Sequence, residues 1–275
     1  MTARRRIATV GHALIYVIVV VGALYPLAWM MAISLQPADA AFHLPPRFLF
    51  VPDFSNYRHV LGDSAFRASI VDSLAVAIPA TLLCIVLGTM AGYAFSRFHV
   101  RGTRTLSAVL VVTRLVPAFA IVVPTFIIYR RFNLLDTTLG LVLAMVALQL
   151  PIAVLVMYRI IDSIPRALDE AARIDGAGTL AVLTRVIVPV AAPGLAASGV
   201  LTFILIWNEF LFILILAGNA IITLPVTIAN FESQRQILWG PIAAASLIAV
   251  LPVLGLMVLA QRQLLAGLGL GAVHE

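Results

Sequence analysis

The sequence predicts an all-α, polytopic membrane protein with six transmembrane helices, on three observations. Mean hydropathy is +1.08 over 275 residues, and 62% of those residues are hydrophobic. The apolar residues come in long blocks rather than singly. The charged residues, only 11% of the chain, gather between the blocks. A helix with a wet face has to carry polar residues along its length, and these blocks carry almost none.

Six blocks are long enough, at about 20 residues or more, to cross a hydrocarbon layer about 30 Å thick. They lie at roughly 11–35, 69–96, 105–129, 138–161, 194–217 and 241–260. Lipid offers no hydrogen bonds to backbone, so each must satisfy its own as an α-helix. Blocks this long and continuous do not match the short alternating strands of a barrel. The first follows a basic patch, Arg4 to Arg6, as a signal peptide does. Its apolar run of about 25 residues exceeds the usual 7–15 and ends in "YPLAWMM", so an uncleaved span is expected. Cys84, the one cysteine, falls inside the second block, where packing is its expected role.

With the N-terminus placed inside the cell, eleven arginines fall in inner segments and six in outer ones, with Arg114 left inside a span. The positive-inside rule then predicts both termini in the cytoplasm. The pair Arg130–Arg131 pulls the other way. Two connections exceed a simple turn. The first, about 36–68, has the prolines and turn residues of an irregular, partly helical lid. The second, about 162–193, lies on the inner side. With no internal repeat and no linker, one membrane domain over 1–275 is expected.

The inner loop begins "SIPRALDEAARIDGAG". Ser163 suits a helix cap, Pro165 a first turn, and Gly176 a left-handed stop. A short helix of two to three turns is expected, then a second over "TLAVLTRVIVP" that ends before Pro189. Residues 162–185 hold three arginines and four acids, with alanines where a lipid-lying helix places large apolar groups. A small-residue surface flanked by both signs of charge suits docking into a protein groove, and a linker lying on the membrane is the alternative.

Composition excludes several functions. All 18 basic residues are arginine, so there is no Walker A lysine and no lysine-based covalent chemistry. The net charge of +6 is explained by membrane topology and does not indicate nucleic acid. The five histidines are dispersed and fit no metal spacing. The spans hold no histidine–serine or paired-aspartate arrangement for an intramembrane enzyme. Few intramembrane carboxylates make proton coupling unattractive for a secondary transporter acting alone. A stand-alone channel or transporter would also leave the charged inner loop unexplained.

"EAARIDGAGTLAVLTRVIVPVAAP" resembles the EAA loop of importer-type ABC permeases. Glu170, Ala171, Ala172, Asp175, Gly176, Ala177, Pro189 and Pro193 fall on that pattern, and Leu183 stands where the family often has an aromatic residue. "FSNYRHVLGDSAFRASIVDSLAVA", "WNEFLFILILA" and "TLPVTIANF" narrow the resemblance to carbohydrate importers of the maltose and trehalose type. Asp72 departs from a common asparagine. The ending "QRQLLAGLGLGAVHE" is similar to that of the shorter six-span subunit, with His274 and Glu275 as departures.

The resemblance implies the type I permease fold and a non-catalytic subunit of an importer in the bacterial cytoplasmic (inner) membrane. It implies a longer second permease, two copies of a cytoplasmic ATPase and an extracellular solute-binding protein as partners. ATP and Mg then belong to the ATPase, and this chain binds no cofactor. The cargo is a di- or oligosaccharide, with glycerophosphodiesters or amino sugars as the alternative. Glu170 becomes the polar contact to the ATPase, Ala171 and Ala172 permit close approach, Asp175 completes the charged pattern, and Gly176 makes the turn.

Polar residues inside the spans are the substrate-path candidates. Arg114 lies about nine residues into its span, about 14 Å deep at 1.5 Å per residue. An arginine there costs about 2.5–3.5 kcal/mol on insertion scales, so it must face protein, water or an acid. Lining the path and anchoring structure are both open readings. Trp207, Asn208 and Glu209 offer an indole to stack on a sugar ring and polar groups for its hydroxyls; the alternative is packing and interhelical bonding. Gln149, beside Pro151, is a weaker case of the same kind.

Overall fold

A computed structural model describes residues 3–37, 50–98, 102–231 and 238–269, with side chains placed from 12 to 261 within these. Arg47, Arg101, Arg235, His43, His99, His274, Glu275 and residues 38–49 of the expected lid lie outside the described residues, as do the side chains of Arg4, Arg5, Arg6 and Arg262. Every regular element among the described residues is a helix. Five helices are long and apolar enough to cross a membrane, six if a bent pair counts as one span.

The chain divides into two compact units, 1–67 with 227–251, and 68–226 with 252–275. In the first, α1 (Ala3–Ser34) is exposed from residue 12 to residue 28. The short α2 (Ser55–Gly62) follows, and its buried Asn56 donates to the carbonyls of Ser34 and Gln36 at 3.0 and 2.8 Å, tying it to the end of α1.

The second unit holds most of α3 (Ser64–Arg97), then α4 (Thr103–Thr113), α5 (Ala118–Arg131) and α6 (Thr138–Asp162). α6 is the centre, with eleven buried residues, because it is apolar on every side and other helices surround it. Its start is capped by Thr137, whose Oγ1 accepts from the Gly140 N–H at 3.0 Å. α3 lies close against it through Gly88 and Gly92. A Cβ on Gly92 would stand 2.6 Å from the Tyr158 nitrogen, and one on Gly88 would stand 3.0 Å from the Ala153 carbonyl carbon. These glycines form a G-x-x-x-G pair, the small-residue signal for close helix approach in membranes.

Three expectations change here. The block 105–129 is not a straight helix: α4 and α5 meet at 93°, broken at Arg114–Pro117. The proline removes a donor and pushes the preceding residue out of helical geometry. The block 194–217 is also interrupted, with α9 (Val188–Trp207) ending at Asn208 and α10 (Leu211–Leu216) starting beyond Phe210. The second loop helix does not stop before Pro189. Instead α8 (Thr179–Val182) runs through a π-helical turn at Leu183–Ile187 straight into α9, with Pro189 in the first turn of α9. The proline is accommodated inside the continuous helix because the wide turn just before it loosens the backbone ladder and makes room for its ring. Beyond α10 come α11 (Leu224–Ala229) and α12 (Trp239–Gly269).

Candidate functional site

Two places in the second unit concentrate polar chemistry. One is the loop between α6 and α9. It contains α7 (Ala167–Ile174), about two turns long, whose N-terminal flank is Arg166. Ser163 does not cap it; its hydroxyl donates back to the Ile160 carbonyl at 2.7 Å and closes α6 instead. Gly176 does make the stop, at φ +84°, with the Ala177 N–H donating to the Ala172 carbonyl at 2.9 Å. A left-handed residue there is nearly free for glycine and strained for any side chain.

Asp169 is the only buried residue of α7. Ala172 and Ala177 face inward, packed on a core of Tyr93, Met157, Ile161, Ile164, Val182, Leu183, Ile187 and Ala191. Glu170, Ala171, Arg173 and Asp175 are exposed. With them stand Ile174 at 87% and Leu180 at 69% exposure, two apolar side chains on an otherwise charged rim. Large apolar side chains exposed among charged ones suit a protein-docking surface.

Behind this surface lies a set of contacts that sequence reasoning missed. Arg97, at the end of α3, forms an ion pair through Nε with Asp169, their side chains 3% and 8% exposed. Arg97 also donates from Nη1 to Ser96 Oγ at 3.0 Å and from Nη2 to the Ile164 carbonyl at 2.8 Å. Ser96 Oγ reaches Asp162 Oδ1 at 3.0 Å, and Arg166 Nη2 returns to the Ser96 carbonyl at 2.9 Å. The positive-inside count treats Arg97 as a topology marker, which hid its partner 72 positions along the chain.

The second place is a cavity of about 690 Å³ inside the second unit. Arg114, Pro117, Gln149, Pro151, Glu209 and Tyr129 are among its lining residues. Both interrupted spans and the proline of α6 open onto it. Non-helical backbone at membrane depth is tolerated only where protein or a water-lined cavity satisfies it. Arg114 ends α4 and donates from Nη1 to the Leu148 carbonyl at 2.8 Å, one residue before Gln149. Glu209 accepts the Phe212 N–H on Oε1 at 3.1 Å and so starts α10. Gln149 is 4% exposed, and its Oε1 has no hydrogen-bond partner.

Trp207 and Asn208 do not join the cavity lining. Trp207 is buried and stacks on Phe203, with centroids 5.4 Å apart and 21° between planes. Asn208 turns its Nδ2 back to the Ile204 carbonyl at 2.8 Å and closes its own helix.

A third group also escaped the sequence. Asp136, between α5 and α6 at φ 54°, accepts the backbone N–H groups of Gly218, Asn219, Ala220 and Ile221 at 2.9–3.2 Å. Burial pushes its carboxyl up, but the four donors together outweigh this and hold it below the ordinary 3.8. Asp72 accepts the Ile222 N–H at 3.1 Å, and Ser73 Oγ accepts from the Leu224 N–H at 2.8 Å.

Residues 84–264 match the family described as binding-protein-dependent transport system inner membrane component. The chain belongs to that family. This permease is 36% identical to the trehalose transport system permease protein SugB of Mycobacterium tuberculosis, over 95% of this chain and 96% of that one. It is 31% identical to the trehalose/maltose transport system permease protein MalG of Thermococcus litoralis, over 91% of each. A bacterial ABC transporter involved in the import of the acidic polysaccharide alginate contains a chain of the same fold. The permease matches it at a TM-score of 0.79 and 24% identity, covering 95% of this chain and 98% of that one.

Proposed function

We propose that this permease is the shorter membrane subunit of an ATP-driven, binding-protein-dependent importer of a di- or oligosaccharide of the trehalose or maltose type. The observation that carries the reading is end-to-end similarity to SugB and MalG, whose names give those sugars. The cavity agrees with it. Arg114 keeps donors beyond the one spent on Leu148, Glu209 keeps one carboxylate oxygen, and Gln149 adds an amide. Sugar hydroxyls need donors and acceptors together, and about 690 Å³ lies within the usual range of small-molecule sites.

In this reading both termini and the α7 loop face the cytoplasm. The exposed face of Glu170, Ala171, Asp175 and Gly176, with Ile174 and Leu180, sits in a groove of an ATPase that holds ATP and Mg. Ala172 supports that face from within. A second, longer permease completes the pathway, and a solute-binding protein outside delivers the sugar. ATP-driven closure of two ATPase copies moves the α7 loops together, and the spans change access as rigid bodies.

The test is purification of tagged permease from its native host, followed by uptake into proteoliposomes with a panel of sugars. Co-purification of an ATPase and a second permease, with uptake of a disaccharide, is expected. A permease that purifies alone, or a complex that moves no saccharide, overturns the reading. In the assembled complex, Glu170→Arg and Gly176→Pro are expected to abolish uptake while ATP is still hydrolysed. Normal uptake by either variant removes the docking role of the loop.

A further inference from the structure

We propose that Arg97 and Asp169 are positioning residues that lock α7 to the end of α3, so that a displacement imposed on α7 reaches the membrane helices undiminished. The proposal rests on the reading of α7 as the ATPase contact.

The starting point is the smallness of α7. Eight residues do not hold a helix in water. Nearly all of this one is exposed, with Asp169 and Ala172 the side chains turned inward. At the one fully buried position the sequence places a carboxylate rather than a leucine. Burying an ion pair is expensive, and a well-packed apolar pair of similar volume is often as stable or more so. Asp169 Oδ1 is also left without a hydrogen-bond partner, a further penalty. Stability alone does not explain this choice.

Geometry supplies another reason. Apolar contacts are non-directional and tolerate sliding. A charge-assisted hydrogen bond is short-ranged and oriented, so it fixes one register. The Arg97 Nε–Asp169 contact is an ion pair without hydrogen-bond geometry, and the oriented bonds beside it come from the Nη2 atoms of Arg97 and Arg166. Here the register is fixed from both sides. Arg97 reaches from α3 to Asp169 and to the Ile164 carbonyl on the approach to α7. Arg166 reaches back from that approach to the Ser96 carbonyl of α3. Ser96 also meets Asp162 at the end of α6, so three helix ends join at one point. Pushing on α7 therefore pushes on α3 and α6, which already touch backbone to backbone through Gly92.

The experiment uses the whole complex, with its ATPase and binding protein, in proteoliposomes. It reads sugar delivered per ATP hydrolysed, and ATPase bound per permease as the measure of assembly. Asp169→Asn removes the charge and keeps the shape. The pair Arg97→Met with Asp169→Leu replaces the ion pair by apolar contact and is expected to assemble. In both, sugar per ATP should fall at least about five-fold, the lower end of ordinary coupling between sites. A purely structural pair would lower the amount of complex and leave that ratio unchanged.

Unchanged stoichiometry in the assembled apolar pair overturns the proposal. An apolar pair that does not assemble overturns it too, since the ion pair would then be serving folding. If Asp169→Asn alone fails to assemble, the apolar pair decides. A wild-type complex without ATP-dependent uptake is a different failure: it removes the reading of α7, and this proposal with it.

Discussion

The permease is clasped by carboxylates near both ends of α6, a helix about 37 Å long at 1.5 Å per residue, and the two clasps are built on opposite principles. At the α7 end one buried carboxylate meets one buried guanidinium. At the other, a half-buried carboxylate, Asp136, gathers four backbone N–H groups from a loop more than 80 residues away. Its own N–H donates to the Leu216 carbonyl at 2.9 Å. The buried clasp depends on one partner that water cannot replace. The half-buried one spreads its hold over several neutral donors that water can replace singly. The first should fail abruptly and the second gradually.

The sharpest way to break the contrast is Arg97→Ala. It leaves Asp169 as a buried unpaired charge and should destabilise by about 3–5 kcal/mol. Thermal unfolding of the purified permease in detergent would read this, and a loss below 1 kcal/mol would mean that water already reaches the pair. Asp136→Ala should cost less, about 1.5 kcal/mol, because its four donors can turn to solvent. Hydrogen exchange should show faster opening confined to residues 218–221.

Acid separates the clasps further. Asp136 has a lowered folded pKa, so its contribution is complete above the ordinary 3.8 and is lost as pH falls through the folded value below that. Protection of the 218–221 amides should drop in that acid window and be insensitive to pH near neutrality. In Asp136→Asn the window should disappear. The smallest effect belongs to Thr137→Ala, which removes the α6 cap next to the Asp136 clasp and should cost about 1 kcal/mol by the same unfolding measurement. A cost equal to that of Asp136→Ala would show that clasp and cap act as one unit.

The spans were readable because hydropathy sums over a window, and the α7 stop because Gly176 announces itself locally. Direction is what such sums lose. Pro117 was visible, yet nothing in the apolarity of 105–129 indicated a 93° turn. Pro189 misled in the other direction, since a π-helical turn absorbed it. Of the path candidates, Arg114, Gln149 and Glu209 meet at one cavity, while Trp207 and Asn208 serve packing and helix closure. Residue type alone cannot separate these, because a stacking indole and a packing indole are the same side chain. Arg97, Asp169 and Asp136 were hidden for a different reason: each is defined by a partner distant in sequence. The G-x-x-x-G of Gly88 and Gly92 was the one local signal available and unused.

The π-helical turn at Leu183–Ile187 has a mechanical meaning. From Thr179 to Trp207 the chain is one unbroken rod of 29 residues, about 43 Å from the α7 loop to the Asn208–Phe210 break beside the cavity. A rod pivoting near its middle returns an ångström of travel at one end as an ångström of opposite travel at the other. The wide turn holds about one residue more than an α-helix needs. Deleting a residue there would return the turn to ordinary α-helical geometry and leave the residues beyond it in phase, because the bulge absorbs the extra residue. The bulge thus takes up a spare residue without disturbing how Trp207 and Glu209 meet their neighbours, like slack gathered in a coupling.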